Sequence, residues 1–476
     1  LHAHFSIATT PQFLRGIALA SLVIALAALP GSNAKLPEST QHLVVYLVEV
    51  AFAGWLVSRV LEWRAPLRHE RAVWLIAVGV CICGWVVTYF PKSIVDRTSG
   101  AIFELDRTAW TAFGTMDQAA STDAMMSLSL AAMVLLMALD FGSQRSGRIV
   151  LALAVTLSGF FAAVAGLCLN TRADLASLWQ TNLLTDSVFG LIWYHGNAAA
   201  FLNLAWPAGV WLCAVLLERQ SRSLLVQMML ALLMVAVMIQ VIAVFVNVSK
   251  MGHLIFVVQA ILLTGGGLLI WRPRLAELPL GGRRTLLLVV IGIALMTAAG
   301  GLTGAGPAMA RWNTFAVRRF DDPARRHAAL MAFQIGLDHR WLGTGPGTFE
   351  WVAAHYSDLD PVLQGGRWRH AHNDYAQFFA EWGCVGAVFF STFLLLPGRR
   401  LWTALRRAVS RHGRHEMSFQ RRTGLVCLAT SIASVLIHAG VDFPLQIDAV
   451  RYLFAASLGL VLALASPVAC IESIRS

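Results

Sequence analysis

Apolar runs of about twenty residues recur from one end of the chain to the other, separated by polar stretches. Each is long enough to carry a helix across a hydrocarbon layer about 30 Å thick. The pattern predicts twelve spans, near 13–30, 42–58, 72–90, 124–141, 149–168, 198–217, 224–246, 253–271, 285–303, 376–397, 423–441 and 449–471. Every second connection is rich in arginine. Arg59, Arg64, Arg68 and Arg71 follow the second span, Arg145 and Arg148 the fourth, and Arg219 and Arg222 the sixth. Arg272, Arg274, Arg283 and Arg284 follow the eighth, and eight arginines lie between Arg399 and Arg422 after the tenth. Short basic loops stay on the cytoplasmic side, so all five of these loops and both termini are expected there.

Composition agrees. The 476 residues are 57% hydrophobic and 13% charged, whereas soluble domains carry about 25% charged residues. The expected fold is an all-α polytopic membrane protein: spans one to nine in 1–303, a large outer loop in 304–375, and spans ten to twelve in 376–476. The net charge of +11 does not point to nucleic acid, because the basic residues sit mainly in the short loops that set topology. The cysteines, Cys81, Cys83, Cys168, Cys213, Cys384, Cys427 and Cys470, form no C-x-x-C pair and are expected to be small buried hydrophobes. The first apolar run ends in "ALAALPGSNA", which faintly resembles a signal-peptide cleavage region, but the charge pattern fits a retained first helix better. The chain opens on leucine, so the numbering is read as starting inside the natural chain or after trimming.

Three outer segments are long: 91–123, 169–197 and 304–375. The first carries Asp96, Glu104, Asp106, Asp117 and Asp123, which either bind a ligand or stay solvated. The third contains "RRFDDPARRHAALMAFQIGLDHRWLGTGPGTFEW", a helical pattern followed by a glycine-rich turn. It holds eight arginines, Arg311, Arg318, Arg319, Arg325, Arg326, Arg340, Arg367 and Arg369, and no lysine. Such a set is either the surface of a folded loop or a phosphate site, since planar arginine forks suit phosphate better than lysine.

The stretch "RHAHNDYAQFFAEWGCVGAVFF" begins as loop and ends as membrane span. Asn373 or Asp374 is placed to cap the tenth span, whose N-terminus would then attract an anion. His372 stands beside it as a proton acceptor, or else as an interfacial or capping histidine. Asp374, Gln377 or Phe378, and Glu381 share one helical face. Glu381 lies within the apolar run, so it is expected to face a polar interior or to bond a neighbouring helix. Gly383 and Gly386 would let another helix approach closely. A metal site of His370, His372 and Asp374 is weakly supported by two histidines one residue apart.

"HNDYAQFFAEWGCVG" is a His-Asn pair, nine residues and a Gly-x-x-Gly, from His372 to Gly386. It resembles the signature of the O-antigen ligase and O-antigen polymerase superfamily of bacterial envelope glycosyltransferases. "RRHAALMAFQIGLDHRWLGTGPGTF" resembles that family's periplasmic helix and following glycine turn, "YHGNAAAFL" its Asn-Ala start of a middle span, and "HAGVDFPLQIDA" the segment between its last two spans. The resemblance implies a GT-C-like enzyme in the bacterial inner membrane that moves a glycan from undecaprenyl diphosphate to an acceptor sugar at the periplasmic face. It implies a glycan or lipid A-core acceptor, surrounding membrane lipid, and no metal, cofactor or nucleotide sugar. It assigns catalysis to His372 and the diphosphate to Arg326, with Arg325 adjacent. A second family arginine, in a Ser-Arg-x-Gly stretch, is replaced here by Lys250, which keeps the charge and loses the bidentate fork.

Read alone, the residues suit that chemistry. Departure of a lipid diphosphate needs positive charge where negative charge develops, and an acceptor hydroxyl needs a base. Asn373, Asp374, Glu381, His438 and Asp442 are expected to support the site or bind acceptor, with Asp442 orienting His372, binding sugar hydroxyls or capping a helix. The glycines of "GTGPGTF" either aim N–H groups at phosphate or form a tight turn. A ligase, a polymerase and a protein-glycosylating relative belong to this one class of transferase; the rival classes are a flippase for the same lipid-linked glycan and a non-catalytic scaffold that would not need His372. A flippase should line a path with cations from face to face, and the span interiors carry few.

Overall fold

The computed structural model describes residues 10–32, 38–63, 70–96, 98, 100–105, 113–171, 189–192, 194–218, 223–277, 312–313, 322–357, 362–363, 368–410 and 416–466. Eleven helices among them are long and apolar enough to cross a membrane. They coincide with the first eight and the last three of the predicted spans. The predicted ninth, 285–303, lies outside the described residues.

The spans are α1 (Thr10–Ser32), α2 (Glu38–Leu61), α3 (Arg71–Tyr89), α4 (Gln118–Gly142), α5 (Arg145–Thr171), α6 (His195–Glu218), α7 (Leu224–Val246) and α8 (Lys250–Glu277). Two shorter helices follow, α9 (Pro323–Asp338) and α10 (Phe349–Ser357). Then come α11 (Asp374–Phe393), α12 (Arg399–Val409), α13 (Phe419–Ala439) and α14 (Asp448–Ala465). The segment 91–123 carries the only strands among the described residues, a hairpin pairing β1 (Ser93–Val95) with β2 (Ile102–Glu104). Asp117 from the same segment caps α4 by accepting from the Ala119 and Ala120 amides at 3.0 and 3.2 Å.

In lipid there is no hydrophobic drive between helices, so close packing and buried polar bonds hold the bundle. A Cβ on Gly459 of α14 would lie 2.7 Å from the Leu135 carbonyl oxygen and from Ala138 Cβ, so the backbone of α14 packs directly against the backbone of α4. Gln259 of α8 donates to the Asn203 carbonyl of α6 at 2.8 Å and accepts from Trp206 Nε1 at 3.1 Å. The Asp140 carboxylate of α4 accepts from Arg59 Nη1 at 2.7 Å and from Trp55 Nε1 at 2.8 Å, and forms an ion pair with Arg15 Nη2 at 2.7 Å. That one anion ties α1 and α2 to α4, and removing it would leave two buried guanidiniums without their counter-charge.

Three expectations change. The arginine-rich stretch after the tenth span begins as helix, not loop: α11 continues through a π-turn (Leu394–Gly398) into α12, as one 36-residue segment, Asp374–Val409. Leu401, Ala404, Leu405 and Ala408 recur at helical spacing, so α12 keeps an apolar face to pack after its other face has become basic. Gly383 admits a loop and not a helix. It has φ +57°, and an added Cβ would lie 2.6 Å from the Trp341 carbonyl oxygen. The kink frees the amides of Cys384 and Val385, which donate to the carbonyls of Arg340 and Trp341 at 2.7 and 3.1 Å. Of the six described cysteines only Cys427 is buried, and Cys168 and Cys384 are exposed on their spans, where an apolar thiol can face lipid at no cost.

Gly383→Ala should therefore loosen the junction between α11 and the turn after α9. The strained backbone alone costs about 1–3 kcal/mol. Thermal unfolding of the detergent-solubilised protein should shift to lower temperature, and an unchanged midpoint would contradict the reading.

Candidate functional site

The site forms where the loop before α11 meets the loop between α13 and α14. Asn373 is the N-cap of α11, its side-chain oxygen accepting from the Ala376 amide at 3.0 Å. Its Nδ2 donates to the Gly440 carbonyl at 2.9 Å. The Asp374 amide donates to the Asp442 carbonyl at 3.2 Å. The buried Asp374 carboxylate accepts from the Leu445 amide at 2.9 Å and Gln446 Nε2 at 3.0 Å. Four bonds thus staple the start of α11 to the segment 440–446, and they fix the residue just before the cap.

That residue is His372. Its φ of +52° is in the left-handed region, costly for a non-glycine residue and sustained by the staple around it. The conformation brings Nδ1 to 3.1 Å from Asp442 Oδ1. Asp442 side-chain exposure is 4% and that of His372 is 19%, so the carboxylate is sealed and the imidazole reaches the surface of the site. A carboxylate held on Nδ1 selects the tautomer with its proton there, which leaves Nε2 as the acceptor.

Asp442 has two further neighbours. Arg325 of α9 places Nη1 3.7 Å from Oδ2, and His438 of α13 places Nε2 4.0 Å from the same oxygen. Arg325 also donates through Nη2 to the Tyr194 hydroxyl at 2.5 Å and pairs through Nε with Asp322 at 3.3 Å. Burial alone would raise the Asp442 pKa, but the hydrogen bond with His372 and the charge of Arg325 outweigh it and hold the carboxyl below the usual range. Burial and the nearby Asp442 charge push the Tyr194 phenol up, so it stays a neutral donor. Phe443 packs among the rings. Tyr194 stacks on it at 5.3 Å and His370 at 4.2 Å, and His372 meets it edge-on at 4.9 Å.

Of the anticipated residues, His372, Asn373, Asp374, His438, Asp442 and Arg325 meet here. His438 is fully buried; its carbonyl accepts from the Asp442 amide at 3.0 Å, while its imidazole, at 4.0 Å, lies beyond hydrogen-bond reach of the Asp442 carboxylate. Arg326 follows Arg325 on α9 but lies on the exposed face of that helix. Lys250 opens α8. Asn247, three residues earlier, donates to the His195 carbonyl at 3.0 Å, so Lys250 lies at the same end of the bundle as Tyr194. Glu381 lies about two turns further along α11 than Asp374. Its carboxylate accepts from the Gly347 amide at 2.9 Å, the Phe349 amide at 3.4 Å and Gln377 Nε2 at 3.0 Å. It caps α10 and holds the glycine turn, whose amides are engaged within the protein: Thr344 donates to the Ala380 carbonyl and Gly345 to that of Glu381. The tight-turn reading of "GTGPGTF" is the one the geometry bears out. Of the other loop arginines, Arg311, Arg318, Arg319 and Arg367 lie outside the described residues.

Tyr194 and Phe443 were not anticipated, and His370 was singled out only as a weakly supported metal ligand. Each lies within a stretch the sequence did single out, but a lone aromatic in a loop has no spacing to mark it. Gly196 has a role of the same kind. A Cβ there would lie 2.5 Å from Asp442 Oδ2 and 2.6 Å from Tyr194 Cε1, so only glycine lets α6 begin this close.

The chain is a polytopic helical membrane protein that gathers an Asp-His pair and an arginine at one end of its bundle. Residues 235–391 match the family model for O-Antigen ligase. The matched stretch runs from within α7 to within α11 and takes in Lys250, Arg325, Arg326, His372 and Glu381. Over that stretch, about a third of its length, the chain is similar to the O-antigen ligase family. No curated protein matches the chain.

The buried ring of His370 yields a pH prediction. Burial, reinforced by the charge of His372, lowers its pKa from 6.5 to about 4. The unfolded chain therefore binds more protons between these values, so the stability tied to neutral His370 is intact above about pH 6.5 and is lost as pH falls towards 4. The thermal midpoint in detergent should drop over that window, and His370→Phe should flatten part of the drop. An equally steep decline in the variant would refute this assignment.

Proposed function

We propose that the protein transfers a glycan from undecaprenyl diphosphate to a hydroxyl of an acceptor sugar, on a glycan or a lipid A-core, at the periplasmic face of the bacterial inner membrane. The observation that carries this reading is the His372–Asp442 pair with Arg325 beside it. The acceptor oxygen attacks the anomeric carbon, the bond from that carbon to the diphosphate oxygen breaks, and the acceptor proton passes to Nε2 of His372. The imidazolium so formed is stabilised by Asp442 on its other nitrogen. The lipid diphosphate leaves with its electron pair, and Arg325, Arg326 and Lys250 supply positive charge there.

Arg325 fits this role in the geometry better than Arg326, because its guanidinium already lies between Tyr194 and Asp442. Asn373 and Asp374 hold the catalytic loop, and His438 supports Asp442 from beneath. The orientation rests on the arginine-rich loops, which put both termini in the cytoplasm and His372 in the periplasm. The charge distribution favours a transferase over a flippase. Among the described residues, buried charge gathers at the His372 end and around Asp140 near the other, with no cationic file between them.

Purified protein reconstituted with undecaprenyl diphosphate-linked glycan and acceptor should transfer the glycan. His372→Ala should lower the rate by about 100-fold or more with donor binding retained, the loss expected for a general base. Arg325→Gln should cost more than Arg326→Gln. Full activity in His372→Ala would exclude this mechanism.

A further inference from the structure

We infer that the end of the bundle opposite His372 carries a binding site for the phosphate headgroup of an anionic phospholipid. By helical rise, α11 and the π-turn put Arg399 roughly 35–40 Å from Asp374, so this site is separate from the chemistry. The cavity there has a volume of about 790 Å³ and is bounded by α12, the π-turn, α3, α4, α14 and the start of α13. Arg399, Arg400, Arg407 and Arg421 line it, against one acidic residue, Glu416. Val73, Leu139, Leu395 and Leu462 form its apolar wall.

The arrangement is amphipathic in the way a lipid is. Arg400, Thr403 and Arg407 share one helical face of α12 that turns towards the cavity, while Ala404 and Ala408 bury beside them against the bundle. Arg421 is anchored within the wall, donating to the carbonyls of Leu464 at 2.7 Å and Ser466 at 2.6 Å. A cluster of guanidiniums at the rim of an apolar cleft satisfies a lipid phosphate and leaves its acyl chain in contact with leucine side chains. Basic pockets of this kind between spans recognise anionic lipids. Arg406 is a built-in control: it lies on the same helix, is exposed, does not line the cavity, and places its guanidinium 5.6 Å above the Trp402 ring. Only the leaflet concerned, the cytoplasmic one, rests on the orientation proposed above.

The test uses the full chain in a zwitterionic detergent, titrated with phosphatidylglycerol, phosphatidylcholine or inorganic phosphate, with bound lipid counted by native mass spectrometry. Phosphatidylglycerol should bind about 10-fold more tightly than phosphatidylcholine. Arg400→Gln and Arg407→Gln should each weaken it several-fold, while Arg406→Gln, the same charge change outside the cavity, should leave it unaltered. Equal loss in Arg406→Gln would mean diffuse attraction and no site. Equal binding of phosphatidylcholine would remove the role of the arginines, and full displacement by millimolar inorganic phosphate would make the ligand a soluble anion. Each of these overturns the inference. None depends on whether glycan transfer is observed, so failure here and failure of the transferase reading are distinct.

Discussion

The site depends on a single buried carboxylate. Asp442 sits on the loop between α13 and α14, and its two oxygens gather groups that the chain delivers from far apart: His372 from before α11, Arg325 from α9 and, through Arg325, Tyr194 from before α6. A carboxylate this deeply buried is costly unless its charge is compensated. The arginine and the histidine provide the compensation, and in doing so they fix the relative positions of three helix ends. Gly196 shows how tightly this is drawn, since even a methyl group at the start of α6 would press on Asp442.

The surrounding fold maintains that arrangement at two levels. Asn373 and Asp374 bind the start of α11 to 440–446 and impose the left-handed backbone of His372, so the strain at the histidine is held by ordinary hydrogen bonds next to it. Further along, Glu381 and the kink at Gly383 bind the turn after α9 to the middle of α11. Because Arg325 is on α9 and His372 lies just before the cap of α11, this second junction links the elements that carry the two. Glu381 thus joins the glycine turn to α11 through hydrogen bonds within the protein.

Much of this could be read in advance. Eleven spans lie where apolar periodicity put them, because only a helix satisfies its own backbone in lipid. The His-Asn pair and Asp442 stood out because their residue types are out of place at a membrane boundary. What the sequence could not reveal was set by three-dimensional neighbours. Arg325 and Arg326 are adjacent identical residues, and only the rotation of α9 decides which faces Asp442. Glu381 has the sequence of a site residue and the contacts of a helix cap. The left-handed backbone at His372 has no local marker, since glycine is the residue that would normally advertise it. The helical course of α12 was hidden by its arginines, which signal topology more strongly than conformation.

In the proposed mechanism Asp442 serves the reaction by orienting His372. A double-mutant cycle tests it most directly, with transfer rates measured for His372→Ala, Asp442→Ala and the two combined. If the carboxylate works through the imidazole, the double variant should be no slower than His372→Ala alone, because a positioning group has nothing left to position. If the two losses multiply, Asp442 acts on substrate independently, and the pair is not the unit described here.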